Sequence, residues 1–254
     1  MKERKPKANH IERFKNSVEL LISMAGFVPK NASVVRMFVM LLSLGFAIYL
    51  GNYQSENSGL AIVYFILSEI FYLGFITVVL SENGLRHWFI KKWGNEENGY
   101  LAYEAVLGFL FFQNGVSIGY IASTTQGQLF DFIPENLLFA IVTIMFVTGF
   151  LIKILAAKAV SIEIYYWKDM FLGKRICDFV VCGPYKYFTN PMYGIGQLQA
   201  YATAIWYGSS YGLIAALTNQ ILIFSFYYLV EKKFIQRVYV NSDLQAIQII
   251  EKVN

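Results

Sequence analysis

Six long apolar segments constrain the fold of this chain more than any other feature. A helix that crosses the hydrocarbon core of a bilayer needs about 20 predominantly apolar residues. The chain is 56% hydrophobic and only 15% charged, whereas charged residues make up about 25% of a typical soluble domain. The sequence therefore predicts an all-α integral membrane protein with about six transmembrane helices. The segments lie at about 34–51, 60–80, 101–122, 137–157, 193–208 and 211–230.

The last two segments are predicted to form a helical hairpin, because only residues 208–210 separate them and such short connections join antiparallel helices. We expect a cytoplasmic tail, helical in part, over about 232–254. The chain then divides into three regions. They are a basic N-terminal segment at 1–33, a four-helix transmembrane region at 34–157, and an interfacial loop, hairpin and tail at 158–254. The N-terminal segment reads either as an interfacial amphipathic helix or as a partly disordered basic tail.

Lysine and arginine are sorted between alternate loops. The loops at 81–100 and 158–192 are basic, as are both termini, whereas the loops near 52–59, 123–136 and 208–210 contain no basic residue. The positive-inside rule therefore predicts that both termini and both long loops are cytoplasmic. This asymmetry fits a bacterial inner membrane and an endoplasmic reticulum membrane equally well.

Histidine and cysteine are too few for several kinds of site. His10 and His87 are the two histidines, and Cys177 and Cys182 fall in one charged loop. This pattern matches neither a disulfide framework nor a metal site, so we expect no bound metal and no Ser-His-Asp centre. The expected partner is the lipid bilayer rather than nucleic acid, and the sequence leaves the oligomeric state open.

Polar residues inside the predicted spans have two readings. Glu69 lies in the second span and residues 113–114 are Gln-Asn in the third. Intramembrane ionisable groups are costly and often functional, but Glu69 could equally be paired with a neighbouring helix. Asn219 and Gln220 are expected to join helices. Lys153 is expected to snorkel from its span to the headgroups.

A polar, glycine-rich and aromatic segment precedes the hairpin. Pro191 suits the first turn of a helix, which would place Asn190 at the N-cap. Gly194 and Gly196 would let a ligand or another helix approach that turn closely, and helix N-terminal amides attract a carboxylate. The segment therefore fits a carboxylate-and-nucleotide pocket, although a tightly packed hairpin would use the same residues.

The chain from 183 to 239 resembles the C-terminal half of the membrane phospholipid methyltransferases of the phosphatidylethanolamine N-methyltransferase type. That family is related to the isoprenylcysteine carboxyl methyltransferases. The shared pattern is Asn-Pro-Met-Tyr, a hairpin with Gly-Leu opening its second helix, a Glu-containing end, and then Phe and Tyr. These features fall on Asn190, Pro191, Met192, Tyr193, Gly212, Leu213, Glu231, Phe234 and Tyr239.

The resemblance implies S-adenosylmethionine as methyl donor and N-methylation of phosphatidylethanolamine or its mono- and dimethyl derivatives. It implies that the 158–254 region forms the site, with Glu231 and Tyr193 as catalytic residues. The expected cofactor-binding residues are Asn190, Tyr193, Gly194, Gly196, Glu231 and Lys232. Residues expected to bind the acceptor lipid are Glu163, Lys174, Arg175 and Tyr185, because basic and aromatic groups at the interface suit a lipid headgroup.

Three departures from the related patterns bear on the site, the first two on cofactor geometry and the third on the acceptor. The family usually has Glu-Glu where this chain has Glu231-Lys232, and a Gly-x-Gly where it has the lone Gly149. Thr189-Asn190 replaces the Arg-His of the carboxyl methyltransferases, which favours a lipid amine as acceptor. Carboxyl methylation of prenylated cysteine, NADPH binding as in sterol reductases, and a non-enzymatic transporter or scaffold remain as alternatives.

Overall fold

The structure, a computed structural model, describes residues 18–24, 34–52, 58–177 and 182–240. Every regular element in these ranges is helical. Two 3₁₀ turns, at Gly183–Lys186 and Ile195–Gln197, precede the hairpin. The helices are α1 (Val34–Asn52), α2 (Ser58–Leu80), α3 (Arg86–Trp93), α4 (Glu96–Thr124), α5 (Glu135–Val160), α6 (Ile162–Tyr165), α7 (Lys168–Leu172), α8 (Leu198–Trp206) and α9 (Ser210–Val240).

Four of these helices are long and apolar enough to cross a membrane: α2, α4, α5 and α9. Helix α1 contributes a shorter apolar stretch, Met37–Leu50. Helix α8 has nine residues and is therefore about 14 Å long, well short of a bilayer core. The predicted class, an all-α integral membrane protein, is confirmed, whereas the count of six spans and the cytoplasmic placement of the termini stay predictions.

A group of aromatic side chains joins the ends of the helices on the side of the molecule that carries α3 and α7. The Tyr103 ring stacks on Phe171 with 5.0 Å between centroids and on Phe75 with 5.6 Å. Phe89 of α3 meets Phe171 edge to face at 6.3 Å. Offset and edge-to-face aromatic pairs add about 0.5–1.5 kcal/mol each beyond their buried area. The cluster therefore anchors the short helix α7 against α2, α3 and α4.

Neutral polar side chains join the spanning helices at mid-depth. The Asn219 amide on α9 donates to Glu69 Oε1 on α2 at 2.8 Å and to Asn114 Oδ1 on α4 at 2.9 Å. Ser68 and Ser117 share a hydrogen bond of 2.6 Å between α2 and α4. The expectation that Asn219 joins helices, and that Glu69 pairs with a neighbouring helix, is confirmed.

The predicted hairpin is present, with a tight turn between α8 and α9. Gly208 has a φ of +57°, which favours glycine. The Ser209 hydroxyl accepts the backbone N–H of Gly212 at 2.9 Å and so caps α9. On α5, a Cβ added to Gly149 would lie 2.7 Å from the backbone nitrogen of Gln199. Gly149 therefore permits close contact between α5 and α8.

The predicted start of the fifth helix is wrong. Residues 191–194 form turns, a 3₁₀ turn follows, and the α-helix begins only at Leu198. Asn190 is consequently not an N-cap. Gly194 has φ −85° and ψ −105°, outside the helical region, and glycine lowers helix propensity by about 1 kcal/mol relative to alanine. The glycines that suggested a ligand-binding first turn instead delay the helix.

The N-terminal segment lies mostly outside the described residues, as do residues 241–254 of the tail. Residues 18–24 are helical, and the Tyr166 hydroxyl donates to the Ser23 carbonyl at 2.6 Å. The described part of the tail, up to Val240, continues α9. The three-region division of the chain stays a prediction.

Candidate functional site

A small cavity of about 170 Å³ lies between the α6–α7 segment, the turns before α8 and the end of α9. Its wall is aromatic, with two carboxylates and a few other polar groups. The residues that line it are Val160, Ile164, Tyr165, Trp167, Asp169, Met170, Cys177, Tyr185, Thr189, Asn190, Met192, Tyr193, Tyr227, Glu231, Phe234, Ile235 and Tyr239.

Glu231 is the carboxylate on the α9 side of this cavity. It is the last residue of a π-helical turn, Tyr227–Glu231, and single π turns inside helices occur frequently at functional sites. The Tyr193 hydroxyl donates to Glu231 Oε2 at 2.8 Å, and the Trp167 side chain also contacts this carboxylate. Two aromatic residues from different segments therefore orient the Glu231 side chain.

Asp169 supplies a second carboxylate from the opposite wall. It accepts the Tyr239 hydroxyl at 2.9 Å and the backbone N–H of Met170 at 2.8 Å. Burial raises the pKa of the Asp169 carboxyl above its ordinary value, although both hydrogen bonds oppose the rise. Sequence reasoning placed Asp169 in an interfacial loop without assigning it a role. The signal available was its position among the aromatic residues of that loop.

The backbone that presents these groups is unusual at Ser161 and Trp167. Their φ angles are +79° and +55°, in the region that favours glycine. Conformations of this kind cost about 1–3 kcal/mol each and cluster at functional sites. The turn at Trp167 orients its ring against Phe226 of α9, with 5.4 Å between ring centroids, and places it beside Glu231.

A larger cavity of about 600 Å³ opens between α4, α5, α8 and α9. Its walls are mainly apolar and include Phe146, Phe150 and Leu107, and its polar groups include Lys153 and Asn219. The cavity therefore lies between three candidate membrane spans, α4, α5 and α9, and its apolar walls suit acyl chains. Four residues line both cavities: Tyr165, Trp167, Met192 and Tyr193.

Four of the residues predicted from the sequence come together in the smaller cavity: Asn190, Tyr193, Glu231 and Tyr185. Gly194 lies beside it. The Gln220 amide of α9 donates to the carbonyls of Tyr193, at 2.9 Å, and Gly194, at 3.3 Å, so Gln220 joins helix to turn as expected.

The remaining predicted residues line neither cavity. Gly196 packs against the Lys153 side chain, and Lys232 is exposed, with its ammonium 5.3 Å from the Tyr228 ring centre. The charged residues proposed for the acceptor lipid are held on the surface of the loop. Glu163 pairs with Lys168 at 3.0 Å, Lys174 pairs with Glu96 at 2.5 Å, and Arg175 Nε donates to the Cys177 carbonyl at 3.2 Å. Contacts from these residues to a bound ligand stay predictions.

The groups in the smaller cavity suit a ligand that carries a positive charge and hydroxyl or ammonium groups. Carboxylates such as Glu231 and Asp169 accept hydrogen bonds from such groups. The side chains of Trp167, Tyr185 and Tyr227 also line the cavity, and aromatic rings attract a cation such as a sulfonium. The residues present therefore fit S-adenosylmethionine chemically.

Comparison with known proteins bears on the same part of the chain. Residues 137–242, which include α5 to α9, match the sequence model described as phospholipid methyltransferase. This part of the chain is therefore similar to the phospholipid methyltransferase family. This match confirms the resemblance seen in the sequence.

One similar protein is a phosphatidylethanolamine N-methyltransferase of Eremothecium gossypii, 25% identical over 109 residues. The matched region is 43% of this chain but only 13% of that protein. The similarity therefore covers less than half of this chain and a small part of the longer relative. No solved structure matches the chain.

Proposed function

We propose that the protein uses S-adenosylmethionine to N-methylate phosphatidylethanolamine, or its mono- and dimethyl derivatives, within the membrane. The observation that carries this proposal is the wall shared by the two cavities. A lipid acceptor and a polar methyl donor differ so much in solubility that an enzyme needs a separate compartment for each. The four residues Tyr165, Trp167, Met192 and Tyr193 lie where two such compartments meet.

Each side of this wall has a defined role in the proposal. S-adenosylmethionine supplies an electrophilic methyl group on a sulfonium when it is bound. Glu231, held by Tyr193, and Asp169, held by Tyr239, would bind its polar groups, and the aromatic side chains of Trp167 and Tyr185 in the same cavity would stabilise its positive charge. The apolar residues of the larger cavity hold the acyl chains, so the enzyme contributes chiefly by positioning the reactants and excluding water.

Proton transfer falls to the carboxylates of the smaller cavity. The acceptor nitrogen attacks only as a neutral amine, so the ammonium group of the lipid must lose one proton before attack. The methylated nitrogen then carries the positive charge that the sulfonium loses. Glu231 and Asp169 are within the cavity and can receive that proton. Glu163, which the sequence analysis places among the residues that bind the acceptor, has a side chain that is 55% exposed and paired with Lys168, so it is less suited to receiving the proton.

The test is a transfer assay in mixed micelles with labelled S-adenosylmethionine. We expect label in phosphatidylethanolamine products and none in a farnesylated cysteine acceptor. Glu231→Gln should reduce the rate by about 100-fold or more, in the range lost with an acid–base group. The matched control, Glu82→Gln, changes an exposed carboxylate that pairs with Arg237 and should transfer normally.

Three results separate the alternatives. Label only in the cysteine acceptor would assign the protein to carboxyl methylation. Absence of label from both acceptors, without a donor-dependent thermal shift, would exclude both methyltransferase readings and favour a transporter or scaffold. Equal activity of the Glu231→Gln and Glu82→Gln variants would show that the proposed pocket is wrong.

A further inference from the structure

Lys153 faces the interior of the protein. It lies on α5 seven residues before the helix ends at Val160, which is about 10 Å along the helix axis. The sequence suggested that its side chain snorkels to the headgroups. Instead the side chain runs against the turn before α8, since a Cβ added to Gly196 would lie 2.8 Å from Lys153 Cγ and 3.2 Å from its Cε.

The Lys153 ammonium is unpaired in the described part of the chain, where no hydrogen bond or ion pair involves it. Lys158 on the same helix is exposed and can be solvated by water or headgroups. Lys168 and Lys174, nearby in the loop, each pair with a glutamate. Lys153 is only half-exposed and lines the large apolar cavity, where an unpaired cation is costly.

No carboxylate lines that cavity among the described residues. Its polar side chains other than Lys153 are neutral and include Asn114, Gln197, Gln199 and Asn219. Glu69 accepts a hydrogen bond from Asn219 but does not line the cavity. Among the described residues nothing balances the charge of Lys153, so a ligand of the cavity is a natural source of the balancing charge.

We propose that Lys153 binds the phosphodiester of the acceptor phospholipid. This inference rests on the proposed function and adds the residue that recognises the headgroup anion. A phosphodiester keeps its negative charge at neutral pH, and lysine binds phosphate as a point charge. The cavity also provides Phe146 and Phe150 for acyl chains on one side and the shared wall for the amine on the other.

The alternative anion is the carboxylate of the methyl donor. Lys153 lines the apolar cavity and not the smaller cavity that contains Glu231 and Asp169. The lipid phosphodiester is therefore the anion that the position of Lys153 favours.

The experiment measures lipid binding without methyl transfer. Purified protein in neutral detergent micelles is immobilised, and the retained radiolabelled lipid is counted for two acceptors with identical acyl chains. One is phosphatidylethanolamine, and the other is a diacyl amine in which a neutral linker replaces the phosphodiester. Lys153→Met should retain phosphatidylethanolamine about 10- to 100-fold more weakly, the range for losing a hydrogen bond to a charged group, and should retain the neutral-linker lipid normally.

Lys153→Arg should restore at least part of the binding, and Lys158→Met, with the same charge change on the same helix, should bind as wild type. Equal retention of phosphatidylethanolamine by wild type and Lys153→Met would overturn the inference. A loss that is the same for both lipids would also overturn it, because it would indicate damaged packing. Weaker S-adenosylmethionine binding with unchanged lipid retention would assign Lys153 to the donor instead.

The binding assay keeps this inference separate from the proposed function. Lipid retention that depends on Lys153, in a protein that transfers no methyl group, would support the phosphate site and reject the methyltransferase. Methyl transfer that is unaffected by Lys153→Met, together with unchanged lipid retention, would support the methyltransferase and reject the phosphate site.

Discussion

Replacing Tyr193 with phenylalanine removes a single oxygen from the wall between the two cavities. The hydroxyl donates to Glu231 Oε2 at 2.8 Å, and the ring meets Phe224 and Tyr227 edge to face at 6.2 and 6.3 Å between centroids. Phenylalanine keeps these ring contacts. The variant therefore isolates the hydrogen bond that orients the Glu231 carboxylate.

The expected loss follows from the charge of the acceptor. A hydrogen bond to a charged group contributes about 1.5–3 kcal/mol, and each 1.36 kcal/mol changes a rate about tenfold. If the bond orients Glu231 in the transition state, Tyr193→Phe should reduce transfer by about 10- to 150-fold. The matched control is Tyr201→Phe, because the Tyr201 hydroxyl also bonds to a side chain of α9, Gln220 Oε1, at 2.7 Å.

Tyr201 lines neither cavity. Loss of its hydroxyl should therefore lower the free energy of unfolding by about 1 kcal/mol and leave the transfer rate close to that of the wild type. Initial rates at saturating donor and acceptor measure the effect, and S-adenosylmethionine affinity and thermal unfolding are measured on the same preparations. A wild-type rate in Tyr193→Phe would refute the role of the bond. Equal losses in the two variants would show that the effect arises from packing of the hairpin and not from the shared wall.

Three further predictions concern stability. Gly149→Ala places a methyl group against backbone and should destabilise the protein by about 1–3 kcal/mol. The control, Gly74→Ala, adds a methyl group where there is open space and should not destabilise it. Thermal unfolding in detergent compares the two variants. Asn219→Leu removes hydrogen bonds to Glu69 and to α4. At about 0.6–1.7 kcal/mol per bond in a membrane protein, it should lower the free energy of unfolding by about 1–3 kcal/mol. Unchanged thermal unfolding would show that Asn219 does not stabilise the helix contacts. Because burial raises the pKa of Asp169, the folded state holds this proton to a higher pH than the unfolded state does. The free energy of unfolding should therefore fall as the pH rises from about 4, and Asp169→Asn should flatten that slope.

Apolar length and residue type made part of this structure predictable from the sequence. The spans followed from continuous apolar runs, and the hairpin from the brevity of its turn. Asn219 was correctly assigned to helix contacts because an amide in a span has few partners other than another helix. Glu231 and Tyr193 were singled out by resemblance, and the structure brings them within 2.8 Å of each other.

Long-range packing explains what the sequence could not predict. Asp169 lies in α7, which follows the left-handed backbone of Trp167 and packs on aromatic residues that are distant in the sequence. The direction of the Lys153 side chain depends on the space above Gly196, which is created by the late start of α8. Short-range sequence patterns do not encode these long-range contacts. The expected N-cap at Asn190 and the expected snorkelling of Lys153 were therefore both wrong.

The exchange of the family's second glutamate for Lys232 also looks different in the structure. Consecutive residues of a helix point about 100° apart, so a side chain next to Glu231 is directed away from what Glu231 faces. Lys232 is accordingly exposed and lies over the Tyr228 ring, outside the cavity. A second carboxylate is nevertheless present there, contributed by Asp169 on α7 and held by Tyr239. The cavity thus keeps two acidic groups, and the charge at position 232 changes the surface of α9 and not the wall that separates the two compartments.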